Sequence, residues 1–205
     1  MERSEHVEDL VQPHRLAVLP AAALLAAAAL TTPTPASAAA AAVVQAPKVL
    51  KFGQATRTMG SHGRPLRITP VGVYYHQPTW KYATKPRNGY FVAIALRVTA
   101  LSKPESMPPL AGTSQLRIRQ GGRVFTFASG RASSTPWVGR TPGTEVTAHP
   151  GSPEVIYYSF DVSQKGGVLE WTTPTGMTRW QIPTSNAGKA THGALVDAIA
   201  DYEGR

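Results

Sequence analysis

Side chains able to do acid–base, nucleophilic or metal chemistry are few in this chain and thinly spread. Beyond residue 38 the histidines are His62, His76, His149 and His192, and the carboxylates are Glu105, Glu145, Glu154, Asp161, Glu170, Asp197, Asp201 and Glu203. A metal site needs three or four converging ligands, and none of these histidines sits in a ligand motif, so they are read as surface groups. Glycoside hydrolysis needs two opposed carboxylates, and nothing nominates a pair. Asp161 is the best single candidate; otherwise it faces solvent or holds a strand-end amide. The serines lie in turns without a Gly-x-Ser-x-Gly elbow. Cysteine is absent, which removes thiolate nucleophiles, thiolate metal sites, disulfides and a lipidated cysteine. The expectation is a protein that is not an enzyme, with no catalytic residue, cofactor or metal.

Aromatic residues beside basic ones offer a different chemistry. Trp80 and Tyr82 lie with Lys81 and Lys85 in the polar stretch HQPTWKYATKPRNG, residues 76–89. Exposed rings next to ammonium groups stack on sugars or grip a partner protein. The competing reading is that Trp80 folds back to cap the edge of the domain. Tyr74-Tyr75 and Tyr157-Tyr158 are adjacent pairs, so within strands one ring of each points outward.

The elements that must position these groups read as short strands. From residue 49 on, β-branched and aromatic runs are broken by Gly and Pro every ten residues or so, the rhythm of an antiparallel sandwich. In residues 66–73, LRITPVGV, Pro70 cannot donate to a ladder and predicts an edge or a bulge. Residues 90–100, YFVAIALRVTA, form the strongest strand. Tyr90, Val92, Ile94, Leu96 and Val98 share one face, and Phe91, Ala93 and Ala95 keep the other dry, so it is expected to be central. Gly121-Gly122 suits a two-residue turn and pairs Ile118 with Phe125 and Leu116 with Phe127, with Arg117 and Arg119 opposite.

Residues 128–150 form a weakly patterned connection anchored by Trp137. In residues 155–162, VIYYSFDV, the alternation puts Ile156, Tyr158, Phe160 and Val162 inward and Tyr157, Ser159 and Asp161 outward. Leu169, Trp171, Trp180 and Ile182 are expected in the core around a turn at residues 174–176. In the tail, Leu195, Ala198, Ile199 and Tyr202 fall at helical spacing; so short a helix either docks or frays.

Residues 16–30, LAVLPAAALLAAAAL, followed by Ala36-Ser37-Ala38, read as an export signal cut between Ala38 and Ala39. The run is shorter than a bilayer span of ~20 residues, although an uncut anchor is the alternative. The n-region is unusually acidic, with Glu2, Glu5, Glu8 and Asp9 against Arg3 and Arg15, which a start at Val7 or Val11 would relieve. No Arg-Arg pair supports a twin-arginine route. Removing residues 1–38 leaves 19 basic and 8 acidic side chains, a net charge of +11 against +9 for the whole chain. Such a surface attracts polyanions, and for an exported protein those are wall polymers or lipid headgroups rather than nucleic acid. The basic residues look scattered along the sequence, as on a solvated surface. The expected division is residues 1–38 signal, 39–48 lead-in, 49–183 sandwich and 184–205 tail.

The runs RPLRITPVGVYY, GYFVAIALRVTALSKPE, LRIRQGGRVFTF and HPGSPEVIYYSFDVSQKGG, in this order, resemble the "immunoprotective extracellular", immunoglobulin-like domain of secreted actinobacterial antigens and Gram-positive surface lipoproteins. In that family a Pro-Gly like Pro150-Gly151 introduces a strand ending in Phe-Asp-Val, here Phe160-Asp161-Val162. This chain has Ala100-Leu101-Ser102 where an Asn turn is usual, and it lacks the lipobox Cys. The likeness spans roughly residues 49–183. It implies an immunoglobulin-like β-sandwich outside the cytoplasm and no particular activity.

The expected function is therefore a secreted binding module of the cell envelope or medium, its partner a protein or an anionic envelope polymer. The alternative is a carbohydrate-binding module using Trp80, Tyr82 and an outward tyrosine from each pair. A hydrolase with an unrecognised site stands third.

Overall fold

The computed structural model describes residues 48–108, 110, 115–134, 146–174, 176–188, 193 and 195–200. The expected leader, its cut at Ala38 and Ala39, the lead-in before residue 48, Trp137 and Tyr202 lie outside the described residues. In chain order the strands are β1 (Val49–Lys51), β2 (Thr56–Met59), β3 (Pro65–His76), β4 (Tyr90–Ala100), β5 (Glu105–Met107), β6 (Gln115–Gln120), β7 (Arg123–Phe125), β8 (Val146–Ala148), β9 (Glu154–Val162), β10 (Gly167–Thr173) and β11 (Gly176–Ile182). One sheet has the order β2-β3-β4-β9 and the other β1-β11-β10-β6-β7, with β5 and β8 paired as a short ribbon.

The inner faces of both sheets meet in one core. Leu66, Ile68, Val92, Ile94, Leu96, Val98, Ile156 and Phe160 come from one side; Leu116, Ile118, Phe125, Leu169, Trp171, Trp180 and Ile182 come from the other. The chain passes from β4 across to β6 and β7, back to β9, across again to β10, and turns into β11. With β3 beside β4, this is the immunoglobulin arrangement of strands A, B and E against C, F and G, extended by a C′ strand. No disulfide ties the sheets, so their cohesion rests on this burial, at ~1.5–3 kcal/mol per large apolar side chain.

Where period-two patterning is strong, register follows it. β4 is central, paired with β3 and β9 and buried on both faces. Ile118 lies opposite Phe125, and Gly121 takes φ 57, the left-handed angle such a turn needs. β7 ends at Phe125, so the expected Leu116–Phe127 pair does not form; the chain turns away at residues 126–130 instead. Pro70 sits where the β3–β4 register shifts between Pro70 and Gly72, a bulge that spares the missing donor. The sandwich is antiparallel except at β1, which runs parallel to β11. Most of the chain lies between these two strands, so no tight turn imposes the antiparallel sense.

The outer face of the four-stranded sheet divides in two. At the β4 N-terminal end, Phe91 and Ala93 pack with Leu195 and Ile199 of a helix formed by residues 193 and 195–200, and Tyr74, Tyr157 and Ala198 border that contact. The described helix residues of the tail dock on the sheet. Ahead of the helix, Ala187 exchanges two 3.0 Å backbone hydrogen bonds with Val73, and Tyr75 N–H donates to Asn186 Oδ1 at 2.8 Å. This cover explains why Ser159, expected outward, is buried. No helix among the described residues is long and apolar enough to cross a membrane.

Candidate functional site

Three carboxylates are fully buried, and each is held differently. Asp161, at the end of β9, is not on a solvent face. Its Oδ2 accepts from Arg87 N–H at 2.7 Å and Arg131 N–H at 2.8 Å, and its Oδ1 from Asn88 N–H at 2.9 Å. Gly130 makes this possible, since a Cβ there would fall 2.2 Å from Oδ2. Asp161 thus ties two loops to the strand end, the structural role weighed against a catalytic one.

Glu105, in β5, accepts from the backbone N–H of His62 (3.0 Å), Arg64 (2.9 Å) and Ser106 (2.8 Å), and meets the exposed His62 ring at Nδ1, 3.1 Å away. Burial alone would push this carboxyl up; the amides and the His62 ring outweigh it and bring it down to about 2. His62 therefore meets a carboxylate across 43 residues, a contact its local sequence does not announce. Among the described residues no group of three or more His, Asp or Glu side chains is placed to hold a metal.

Glu170, on the outer side of β10, is surrounded by arginines from both neighbouring strands. Arg117 Nε donates to Oε2 at 2.8 Å, Arg119 Nε to Oε1 at 3.0 Å and Arg119 Nη2 to Oε2 at 3.2 Å, while Arg179 Nε stands 3.1 Å from Oε1. The register explains the convergence: Glu170 is the direct partner of Arg117 on β6 and of Arg179 on β11. Burial would raise this carboxyl, but Arg119 and Arg117 hold it below its ordinary value. The basic residues are thus not scattered in space.

A second arginine group lies on the uncovered end of the other sheet. Arg57 on β2 is directly opposite Arg67 on β3; Arg67 is opposite Thr99 on β4, and Arg97 on β4 is opposite Thr69 on β3. Leu66, Ile68 and Val98 point into the core, so Arg57, Arg67, Thr69, Arg97 and Thr99 share the outer face. All three arginines are exposed, and among the described residues none makes an ion pair.

The aromatic loop stands at the far end of β3 and β4 from this patch, about 30 Å away along nine strand residues. Trp80 is 40% exposed and Tyr82 69%; their rings are 5.4 Å apart and nearly perpendicular, at 78°, and Lys81 Nζ lies 4.6 Å from the Tyr82 ring centre. Lys85 donates to the carbonyls of Pro78 and Trp80, the latter at 2.9 Å, so its ammonium braces the loop. Trp80 does not fold away as a cap. The outward tyrosines do not join it, because Tyr74 and Tyr157 border the helix contact and Tyr75 and Tyr158 are buried. A cavity of about 440 Å³ beside the helix is lined by Tyr74, Asn186, Val196 and Asp197, with no basic group among the described residues that line it.

No family model matches the chain, and no curated protein matches it. Among solved structures, the chain is similar to MPT63, described as a secreted protein from Mycobacterium tuberculosis, with 15% identity over 66% of this chain and 98% of that one and a TM-score of 0.42. The architecture stated above rests on the strand pairings themselves.

Proposed function

We propose that this chain is an exported, non-catalytic binding module of the cell envelope or medium that recognises an anionic envelope polymer. One observation carries the reading: the buried carboxylates are consumed inside the fold, by amides at Asp161 and Glu105 and by arginines at Glu170, while Arg57, Arg67 and Arg97 keep their charge on the surface. Excess charge of one sign concentrates oppositely charged ligands near the surface. The leader pattern supports export, and the strand order supports placing the chain with the immunoprotective extracellular, immunoglobulin-like domains.

Retention of the protein on anionic envelope fractions, compared with neutral glycans across a salt gradient, tests this. Binding is expected on the anionic fractions only and weakens as salt passes ~0.15 M, where screening acts over ~8 Å. The exposed Trp80–Tyr82 pair supports a second reading, carbohydrate or protein-groove binding by ring contact. Retention that survives high salt but is lost in Trp80→Ala selects it, and indifference to both salt and Trp80→Ala overturns both.

A further inference from the structure

We infer that the outer face of β2, β3 and β4 is a docking site for a phosphodiester polymer of the envelope; this rests on the binding reading above and gives it a place and a chemistry. The arrangement is a checkerboard. Arg67 and Thr69 on β3 lie against Thr99 and Arg97 on β4, and Arg57 extends the row from β2. Neighbouring strands are ~4.8 Å apart and residues rise ~3.3 Å along each, so the three arginines are rooted within roughly 12 Å of one another. Like charges directly opposed in an antiparallel pair are destabilising, and Arg57 opposite Arg67 is such a pair with no carboxylate between them. A ligand anion relieves that repulsion.

The chemistry of the face selects phosphate. Each guanidinium offers a planar fork of donors that matches phosphate oxygens, and the threonine hydroxyls between them add donors of a second direction. Among the described residues no acidic side chain interrupts the face, where Val155 on β9 is the next residue beyond Arg97. A single anion on three solvated arginines is held weakly because salt screens each contact. A chain carrying repeated phosphates occupies all three at once, with each contact after the first made intramolecularly. Among the described residues the helix packs on the other half of the sheet, at Phe91 and Ala93, and leaves these arginines exposed.

Binding of the purified protein to immobilised poly(glycerol phosphate) tests this, with poly-glutamate and a single-stranded oligonucleotide of equal charge as competitors. The triple variant Arg57→Ser/Arg67→Ser/Arg97→Ser should lose at least about tenfold in affinity and flatten the salt dependence by about two to three in log–log slope. A charge-matched control, Lys48→Ser/Lys51→Ser/Arg131→Ser, should lose about threefold or less, and thermal unfolding of the arginine triple should match or exceed that of the unaltered protein. Equal losses in both triples overturn the site while leaving an electrostatic binding role standing. Competition by poly-glutamate as strong as by phosphate polymer overturns the phosphate assignment, and tighter oligonucleotide binding assigns the face to nucleic acid instead. Absence of binding by the unaltered protein to any anionic envelope material overturns the functional reading itself.

Discussion

One arginine triad lies on each outer face of this sandwich: Arg117 and Arg119 on β6 with Arg179 on β11 flank β10, whereas Arg57, Arg67 and Arg97 come one each from β2, β3 and β4. Around Glu170, Arg117, Arg119 and Arg179 are drawn onto a fully buried carboxylate, with contacts of 2.8–3.2 Å. On the opposite sheet Arg57, Arg67 and Arg97 sit on three adjacent strands and, among the described residues, pair with no carboxylate. The difference teaches what a surface arginine is for. Where a buried acid collects guanidinium groups, the charge is spent on joining β6, β10 and β11. Where none lies among the described residues, Arg57 and Arg67 stand directly opposed, and that repulsion is the ground of the docking site proposed for this face.

Breaking the compensated triad should produce the largest effect. Glu170→Gln leaves three guanidinium groups around a buried neutral amide, and urea unfolding is expected to show a loss of about 3–5 kcal/mol. Phe125→Ala, on the inner side of the same sheet, serves as the core reference at about 3–5 kcal/mol.

Glu105 sharpens the comparison, because backbone amides rather than arginines hold it. Glu105→Gln should cost about 1–3 kcal/mol at pH 7. Its carboxyl is lowered from 4.5 to about 2, so the ionised form is the one the fold favours. The stability it supplies is fully present above about pH 4.5 and is lost as pH falls through 2. Urea midpoints of the protein and of Glu105→Gln should converge as pH falls from 4.5 to 2. A gap that widens over that range would contradict the assignment.

Smaller effects separate the two triads residue by residue. Arg119→Ala, which from the sequence alone looks like a surface change worth under ~0.5 kcal/mol, should lower the urea midpoint by more than Arg57→Ser does, because it removes two of the contacts to Glu170. Arg57→Ser should change stability by less than ~0.5 kcal/mol and in the favourable direction, since it relieves the opposed pair.

The parts of this molecule legible in the sequence are those with a local signal. The doubly buried β4 follows from its unbroken apolar run, the Ile118–Phe125 register from Gly121-Gly122, the bulge from Pro70, and the core places of Trp171 and Trp180 from alternation about a turn. The arginine triads have no such signal. Arg117 and Glu170 are 53 residues apart, and Arg57 and Arg97 meet only through β3, so charges scattered along the chain become clusters once strand order is known. For Asp161 the sequence offers an amide-holding role but not its partners, and for Glu105 neither, because those partners are backbone amides, which every residue except proline possesses. The outward tyrosines could not be read as covered without knowing that the tail helix docks on them.

If Arg117, Arg119 and Arg179 serve stability while Arg57, Arg67 and Arg97 serve binding, Arg117→Ser and Arg67→Ser must separate urea stability from retention on immobilised poly(glycerol phosphate). Arg117→Ser should lower stability by about 1–2 kcal/mol with retention unchanged, through loss of a charged hydrogen bond. Arg67→Ser should leave stability within ~0.5 kcal/mol and weaken retention several-fold. The reverse pattern, or equal effects on both readouts, would contradict that division of roles.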